Sequence, residues 1–522
     1  MLSKEEVKGI WKAISSGNER RHYNSLVKLV HGYNELLENN GLLETYEEDF
    51  RYVTIALSQI FIKLFERGQL MPHLASNANE KKFFEWCKKV YLNYKAKLLA
   101  VIESLTEENS LSLDCLDSYM KMLHYESIYW TSKPNSPFFP NKTLRSLLSA
   151  LFKCNYVADI DLKDGQSNNP VFELFVETYY KKNFDIQFYT QSELQTLLPE
   201  IQVSDQIKMS KWLKLSNHDL HSAPELEIFV SMPPQAIEND AKFKSMIESN
   251  WLYCLNLQDL STNQYKTVLL VFHKRIIPWF HQPTKLMDFL TDSYDQGGIV
   301  SILSLNGLFE LMRKFNLEYP NFYSKLYQLL TPELMHVKYR SRFFRLLDTF
   351  LSSTHLSAQL VSSFIKRLAR LSISAPPGAI VSIVPFVYNL IRKHPTCMIL
   401  LHDPEYINCD SSKKQEYKDP FNNEETNPEL TNAISSSLWE LESLMNHYHP
   451  NVATLVKIFK QPFQKLSYNI EDFLDWSYDS LLQAEANRRL KIQPALEFEQ
   501  FDSLFETNNE TSASTFVPLV KW

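Results

Sequence analysis

The feature that most narrows the folds open to this chain is a succession of helix-like apolar segments between about 297 and 402, separated by two to six residues. In "GGIVSILSLNGLFELMRKFN", "PNFYSKLYQLL" and "SAQLVSSFIKRLARL" the apolar side chains return every three or four positions, as one buried stripe on a helix requires. Val361, Phe364, Ile365 and Leu368 share a face in the last of these. Phe343, Leu346, Leu347, Phe350 and Leu351 do so in "ELMHVKYRSRFFRLLDTFLSS". Corners this short make consecutive helices run roughly antiparallel. Within "LARLSISAPPGAIVSIVPFVYNLIRKHP" (368–395), Pro376 and Pro377 close a connection and Pro377 suits a first helical turn. Residues 378–393 then predict a helix that is apolar on nearly every side, kinked at Pro385 and stopped by Pro395. Such a helix belongs inside, among amphipathic ones.

Glycine supports a helical reading of the whole chain. Ten glycines in 522 residues is under 2%, against a usual ~7%, and leaves few positive-φ turns for hairpins. The same period runs upstream in "RYVTIALSQIFIKLFERG", with Val53, Leu57, Ile60, Phe61 and Leu64 on the stripe and Thr54, Ser58 and Lys63 off it, and again across 83–105. Residues 156–170 and 202–240 are polar, proline-bearing and read as long connections. The organisation expected is an N-terminal helical region (1–240), a helical repeat core (241–402), a polar surface loop (403–432), a second part of the core (433–491) and an acidic, aromatic tail (492–522). The fold class expected is all-α, an α-solenoid of HEAT/armadillo-like helical repeats that are irregular because no fixed period is present; an irregular helical globule is the alternative.

Composition and motifs exclude several functions. The net charge of -7 at pH 7 confines any nucleic-acid contact to a local patch. The six cysteines (Cys87, Cys115, Cys154, Cys254, Cys397, Cys409) are scattered, as in reduced proteins of the cytosol or nucleus. The first residues carry charges where a secretion signal needs an apolar core, no membrane-spanning run exists, and no compact basic import signal stands out. Phosphate-cradling, dinucleotide and hydrolase motifs are absent, so no catalytic residue, metal, cofactor or small-molecule substrate is expected. His447 and His449 in "NHYHP" close a helix ahead of Pro450 rather than hold a metal.

Two features point outward. Lys338, Arg340, Arg342 and Arg345 on one helix, with Lys366, Arg367 and Arg370 on the next, form a candidate basic ridge for RNA phosphates. A solvated face paired with local acids is the plainer alternative. In the tail "PALEFEQFDSLFE", Phe498, Phe501, Leu504 and Phe505 keep helical spacing, which suits a segment laid in a partner's groove. Docking on the chain's own helices is the alternative there.

Several stretches are more specific. "GGIVSILSLNGLFELMRKFNLEYPNFYSKLYQLL", "HVKYRSRFFRLLDTFLSSTHL", "FIKRLARLSISAPPGAI", "NLIRKHP", "NPELTNAISSSLWELESLMNHYHPNVATLVKIF" and "EDFLDWSYDSLLQAE" resemble, in order and spacing, the CCAAT-binding-factor domain family of the nucleolar complex proteins, over about 295–485. The resemblance implies a nuclear, nucleolar protein without enzymatic activity. It would act in early small (40S) ribosomal subunit biogenesis and pre-rRNA processing, as a heterodimer with nucleolar protein fourteen on the pre-ribosomal particle, where rRNA contact is possible. Gly378 departs from the family's usual helix former and implies a looser helix start. The family's name also raises a nucleic-acid-binding transcriptional regulator, but an acidic chain with no zipper or zinc finger gives this little support.

Overall fold

The computed structural model describes residues 4–16, 23–38, 41–72, 77–105, 109–131, 136–154, 169–216, 227–315, 319, 321–403 and 418–489. Among them the chain is helical with irregular corners, and an isolated bridge between Asn183 and Glu227 is the only β pairing. The all-α expectation holds. The first half contains α1 (Lys4–Ser16), α2 (Asn24–Glu38), α3 (Gly41–Glu66), α4 (Ala78–Glu103), α5 (Ser110–Tyr129) and α6 (Asn141–Lys153). In this run each helix packs on the second one after it: α1 on α3, α2 on α4, α3 on α5, α4 on α6. Then come α7 (Pro170–Leu174), α8 (Phe184–Glu200), α9 (Asp205–Ser216) and α10 (Asp240–Leu255), with α8 lying against both α6 and α10.

Of the residues expected on the stripe of α3, Leu57, Ile60, Phe61 and Leu64 are buried and Val53 is partly buried, and Phe61 stacks on Tyr94 at 5.2 Å between ring centroids. Thr54 and Ser58, expected off the stripe, are buried as well. The reason is that α3 lies between α1 and α5, so more than one of its faces is covered. Thr54 Oγ1 donates to the Phe50 carbonyl (2.8 Å), and the Thr54 carbonyl accepts from the Tyr94 hydroxyl (2.9 Å), so no polar atom there is stranded. A buried carboxylate, Glu126, ties three helices together by accepting from Tyr91 and Lys95 on α4 (2.6 Å each) and from Thr143 on α6.

The span 202–240 is not simply a connection, because α9 occupies its first part and buries Trp212 edge-on against Trp251 at 5.4 Å. Lysines made this helix read as polar. Lys211 in fact turns inward and donates to the carbonyls of Leu151 (2.7 Å), Phe152 (2.9 Å) and Cys154 (2.6 Å) at the C-terminal end of α6. Those carbonyls lack intrahelical donors and carry the negative end of the helix dipole. Burial pulls the Lys211 pKa down to about 8. The connection read at 156–170 lies almost wholly outside the described residues.

The second half holds α11 (Thr262–Val271), α12 (Met287–Asp295), α13 (Gly298–Phe315), α14 (Phe322–Gln328), α15 (Arg340–Leu351), α16 (Ala358–Ser372) and α17 (Pro377–Lys393). "ELMHVKYRSRFF…" is split: Pro332–His336 is a 3-10 turn and α15 begins at Arg340, so Lys338 precedes the helix that was expected to carry it. As expected, α17 is interior, with every residue from Pro377 to Ile391 buried. It rests on α16 and on the short helices Pro450–Val456 and Glu471–Leu474. No helix among the described residues is long and apolar enough to cross a membrane. Val384 is fully buried. Val384→Asp is expected to cost at least ~4 kcal/mol, because the carboxylate would have no partner there. Loss of soluble full-length protein, or of the cooperative thermal transition, checks this.

Candidate functional site

The candidate basic ridge sits where α15 and α16 meet the C-terminal segments, and the structure does not present it as one exposed row. On α16, Lys366 has no exposed surface. Its ammonium donates to the Ser437 carbonyl (2.6 Å), lies 3.1 Å from Asp419 and 2.7 Å from Glu440, and faces the rings of Phe421 and Trp439. Arg370 bonds Asp419 at 2.9 Å, lies 3.0 Å from Glu440 and stacks 4.8 Å from the centroid of Trp439. Glu440 therefore holds its cations by Coulomb attraction, with neither carboxylate oxygen in a well-aligned hydrogen bond. Arg367 donates to the carbonyls of Leu330 (3.2 Å) and Asn423 (2.6 Å).

The α15 half behaves alike. Arg340 is half-buried and donates to the carbonyls of Met335 (2.9 Å) and Trp476 (3.0 Å), and burial lowers its pKa. Ser341 donates to the Leu474 carbonyl (3.0 Å), and Arg345 makes a two-point pair with Glu471 (2.8 and 2.7 Å). From α17, Ser382 donates to the Phe473 carbonyl (2.9 Å) and Tyr388 to the Lys465 carbonyl (2.8 Å). Asn389 exchanges two bonds of 2.8 Å with the Tyr468 backbone. Five of the seven thus fall into two groups: the α16 cations Lys366, Arg367 and Arg370 hold residues 419–440, and Arg340 and Arg345 on α15 help hold 471–476. Lys338 is exposed and Arg342 half-buried, and among the described residues neither forms an ion pair.

This correction has a physical cause. The helix α16 contains no acid of its own, so its three cations must find partners far along the chain. That absence was the available signal; Asp419 was missed because it stands in the stretch read as a surface loop, and Glu440 because it stands in a separate helical stretch some 70 residues beyond Arg370. Gly378 is corrected too. The Trp476 carbonyl held by Arg340 lies 2.7 Å from where a Cβ at 378 would stand, so glycine serves close approach rather than a looser helix start. His449 Nδ1 accepts from the Asn451 amide and so caps the start of the helix Pro450–Val456, while His447 Nδ1 accepts from the His449 amide; the pair therefore leads into a helix begun by Pro450 rather than closing one, and no metal-binding cluster exists among the described residues. Phe498, Phe501, Leu504 and Phe505 lie outside the described residues.

The fold and its internal ion pairs define an all-α protein of packed helices whose buried charges fasten its own segments together. Comparison makes the class definite. The CBF/Mak21 family matches residues 301–456, and the TPR repeats of nucleolar complex protein 4-like proteins match 3–203, where helices pack on their second neighbours. Nucleolar complex protein 4 of Saccharomyces cerevisiae is 53% identical over 550 aligned residues, covering 99% of each chain. The nucleolar complex protein 4 homolog of Danio rerio is 31% identical over 89% of each. The Homo sapiens homolog is 41% identical over 52% of this chain and 51% of its own. The chain belongs to the nucleolar complex protein 4 family, which is not a known enzyme family. Its place is accordingly the nucleolus and its role lies in ribosome biogenesis.

Two outcomes follow from the fastened segments. Burial works to raise the Asp419 pKa, but hydrogen bonds from Ser436, Trp439, the Phe421 amide and Lys366 bring it down to about 2. The unfolded value is near ~3.9. A depressed folded pKa gives stability that is complete above the unfolded value and lost as pH falls from about 4 through about 2. Asp419→Asn should remove up to about 2 kcal/mol at neutral pH and flatten the acid limb of the stability curve over that window. Thermal melts across pH measure both. Gly378→Ala should cost about 1–3 kcal/mol by displacing the Trp476 backbone, with hydrogen exchange quickening at 471–478 before it does in α16.

Proposed function

We propose that this protein is a non-enzymatic scaffold in early small (40S) subunit biogenesis and pre-rRNA processing, working as a stable heterodimer with nucleolar protein fourteen. The observation that carries the reading is the engagement of five ridge cations, Arg340, Arg345, Lys366, Arg367 and Arg370, by the chain's own segments. A chain of net charge -7 with these five cations engaged by its own acids and carbonyls relies on protein surfaces more than on phosphates for affinity. The second-neighbour packing of α1–α6 supports an irregular α-solenoid of HEAT/armadillo-like repeats. We assign direct RNA contact to Lys338 and Arg342, and partner docking to Phe498, Phe501, Leu504 and Phe505, whose spacing suits a helix in a groove.

Purification of the tagged full chain from its native cells, with and without RNase, tests the reading. Nucleolar protein fourteen is expected to remain at equal stoichiometry after RNase while ribosomal RNA is lost. Phe501→Ala combined with Phe505→Ala should reduce its recovery, since each buried phenylalanine is worth about 1.5–3 kcal/mol. Release of the partner by RNase, or its absence, overturns the proposal.

A further inference from the structure

The cations around the start of α15 do not share one surface. Two positions along a helix turn a side chain by about 200°, so Arg342 points away from the Trp476 side on which Arg340 is held. Lys338 lines a cleft with Arg340, Trp476 and Tyr478 on that side. Arg342 lies instead within electrostatic range of His273, in the π turn Phe272–Ile276 that continues α11. That turn packs on α13, and α13 on α15.

Three elements thereby bring cations to one face. Lys274 and Lys314 also act on His273, and Arg313 and Lys314 close on Glu310 at 3.3 and 2.8 Å. Lys274, Arg313 and Lys314 are exposed and Arg342 is half-buried. Among the described residues Lys274 and Arg342 form no ion pair, and Arg342 Nη1 and His273 Nδ1 have no hydrogen-bond partner. Burial, and then the Arg342 and Lys274 charges, holds the His273 pKa below its usual range. Four cations are thus set against one carboxylate that two of them already engage. The C-terminal end of α13 adds only about half a negative charge. The excess is left for an anion from outside the chain.

The arrangement favours a nucleic-acid strand over an acidic protein segment. The Arg313 guanidinium lies 5.4 Å from the centroid of the Phe309 ring and covers it, which withdraws an aromatic foothold that a protein partner would use. Point charges carried on separate elements suit successive phosphates, each neutralised by one lysine or arginine. A role in ribosome biogenesis puts ribosomal RNA within reach. We infer that Lys274, Arg313, Lys314 and Arg342 bind the phosphate backbone of ribosomal RNA, a contact that positions the strand without reading its sequence. The inference rests on the RNA contact assigned to Arg342 above and places it on a face shared with α13 and the π turn, apart from Lys338.

The test uses the full chain and a fluorescein-labelled single-stranded RNA of mixed sequence, titrated by anisotropy at several salt concentrations. Each neutralised phosphate contributes about 0.7 to the slope of log affinity on log salt, or about 5-fold in affinity at ~0.1 M salt. Lys274→Ala combined with Lys314→Ala is expected to lower the slope by roughly 1.4 and weaken binding roughly 25-fold. The melting temperature should hold, because both side chains are exposed. If the double variant melts lower, Lys274→Ala alone decides, since it has no ion pair to lose. RNA bound equally well by the unaltered chain and the double variant, but more weakly after Lys338→Ala, overturns this inference and leaves the contact of Lys338 standing. No RNA binding by the unaltered chain overturns both. Tighter binding of poly-glutamate than of RNA assigns the face to an acidic protein and overturns the inference as well.

Discussion

Burial of α17 on every side is the constraint to which the second half of the molecule answers. An apolar helix with no solvent face must be covered by other elements, and α16 supplies only part of the cover. Phe344 of α15 and the turn Pro395–Leu400 add to it, and the rest comes from segments after 450, which contain too little regular helix to hold a position by packing alone. Apolar contact is non-directional, so the choice of covering segment falls to Ser382, Tyr388 and Asn389, whose polar atoms meet backbone groups of 465–473. A hydrogen bond of this kind adds only about 1 kcal/mol net, whereas a buried polar group left unmatched costs more. These three residues therefore select one docking register more than they add stability.

The same logic governs the buried charges. Lys95 with Glu126, Lys211 with the end of α6, and Lys366 with Glu440 all join elements far apart in sequence. Replacing such pairs with apolar residues is often neutral for stability, while removing one member is costly. Their contribution is to make one arrangement of similar helices distinguishable from its neighbours. In a stack of amphipathic helices with interchangeable leucines and phenylalanines, that discrimination is hard to obtain otherwise.

The helical class, the interior position of α17 and the stripe of α3 were legible because periodicity reports on a helix and its immediate surroundings. The errors share a cause. Thr54 and Ser58 looked solvent-facing because a stripe presumes one covered face, and α3 has neighbours on two. The lysines of α9 looked like surface because a cation capping another helix's carbonyls leaves no local mark. The ridge on α15 and α16 looked free because its acceptors lie some 50 to 136 residues further along. Charge partners at that distance are a property of the assembled fold and cannot be read from spacing.

The hold of 465–473 on α17 has a consequence for synthesis. The bonds from Ser382, Tyr388 and Asn389 span 91, 77 and 79 residues. At ~5–20 residues per second, translation brings out the covering segment on the order of 4–20 s after the helix it covers. During that interval the most apolar helix of the chain has been made while part of its shelter has not. The nascent protein then exposes apolar surface that chaperones bind, and a ribosome that stalls in the 400s would release a fragment with α17 incompletely covered and prone to aggregate.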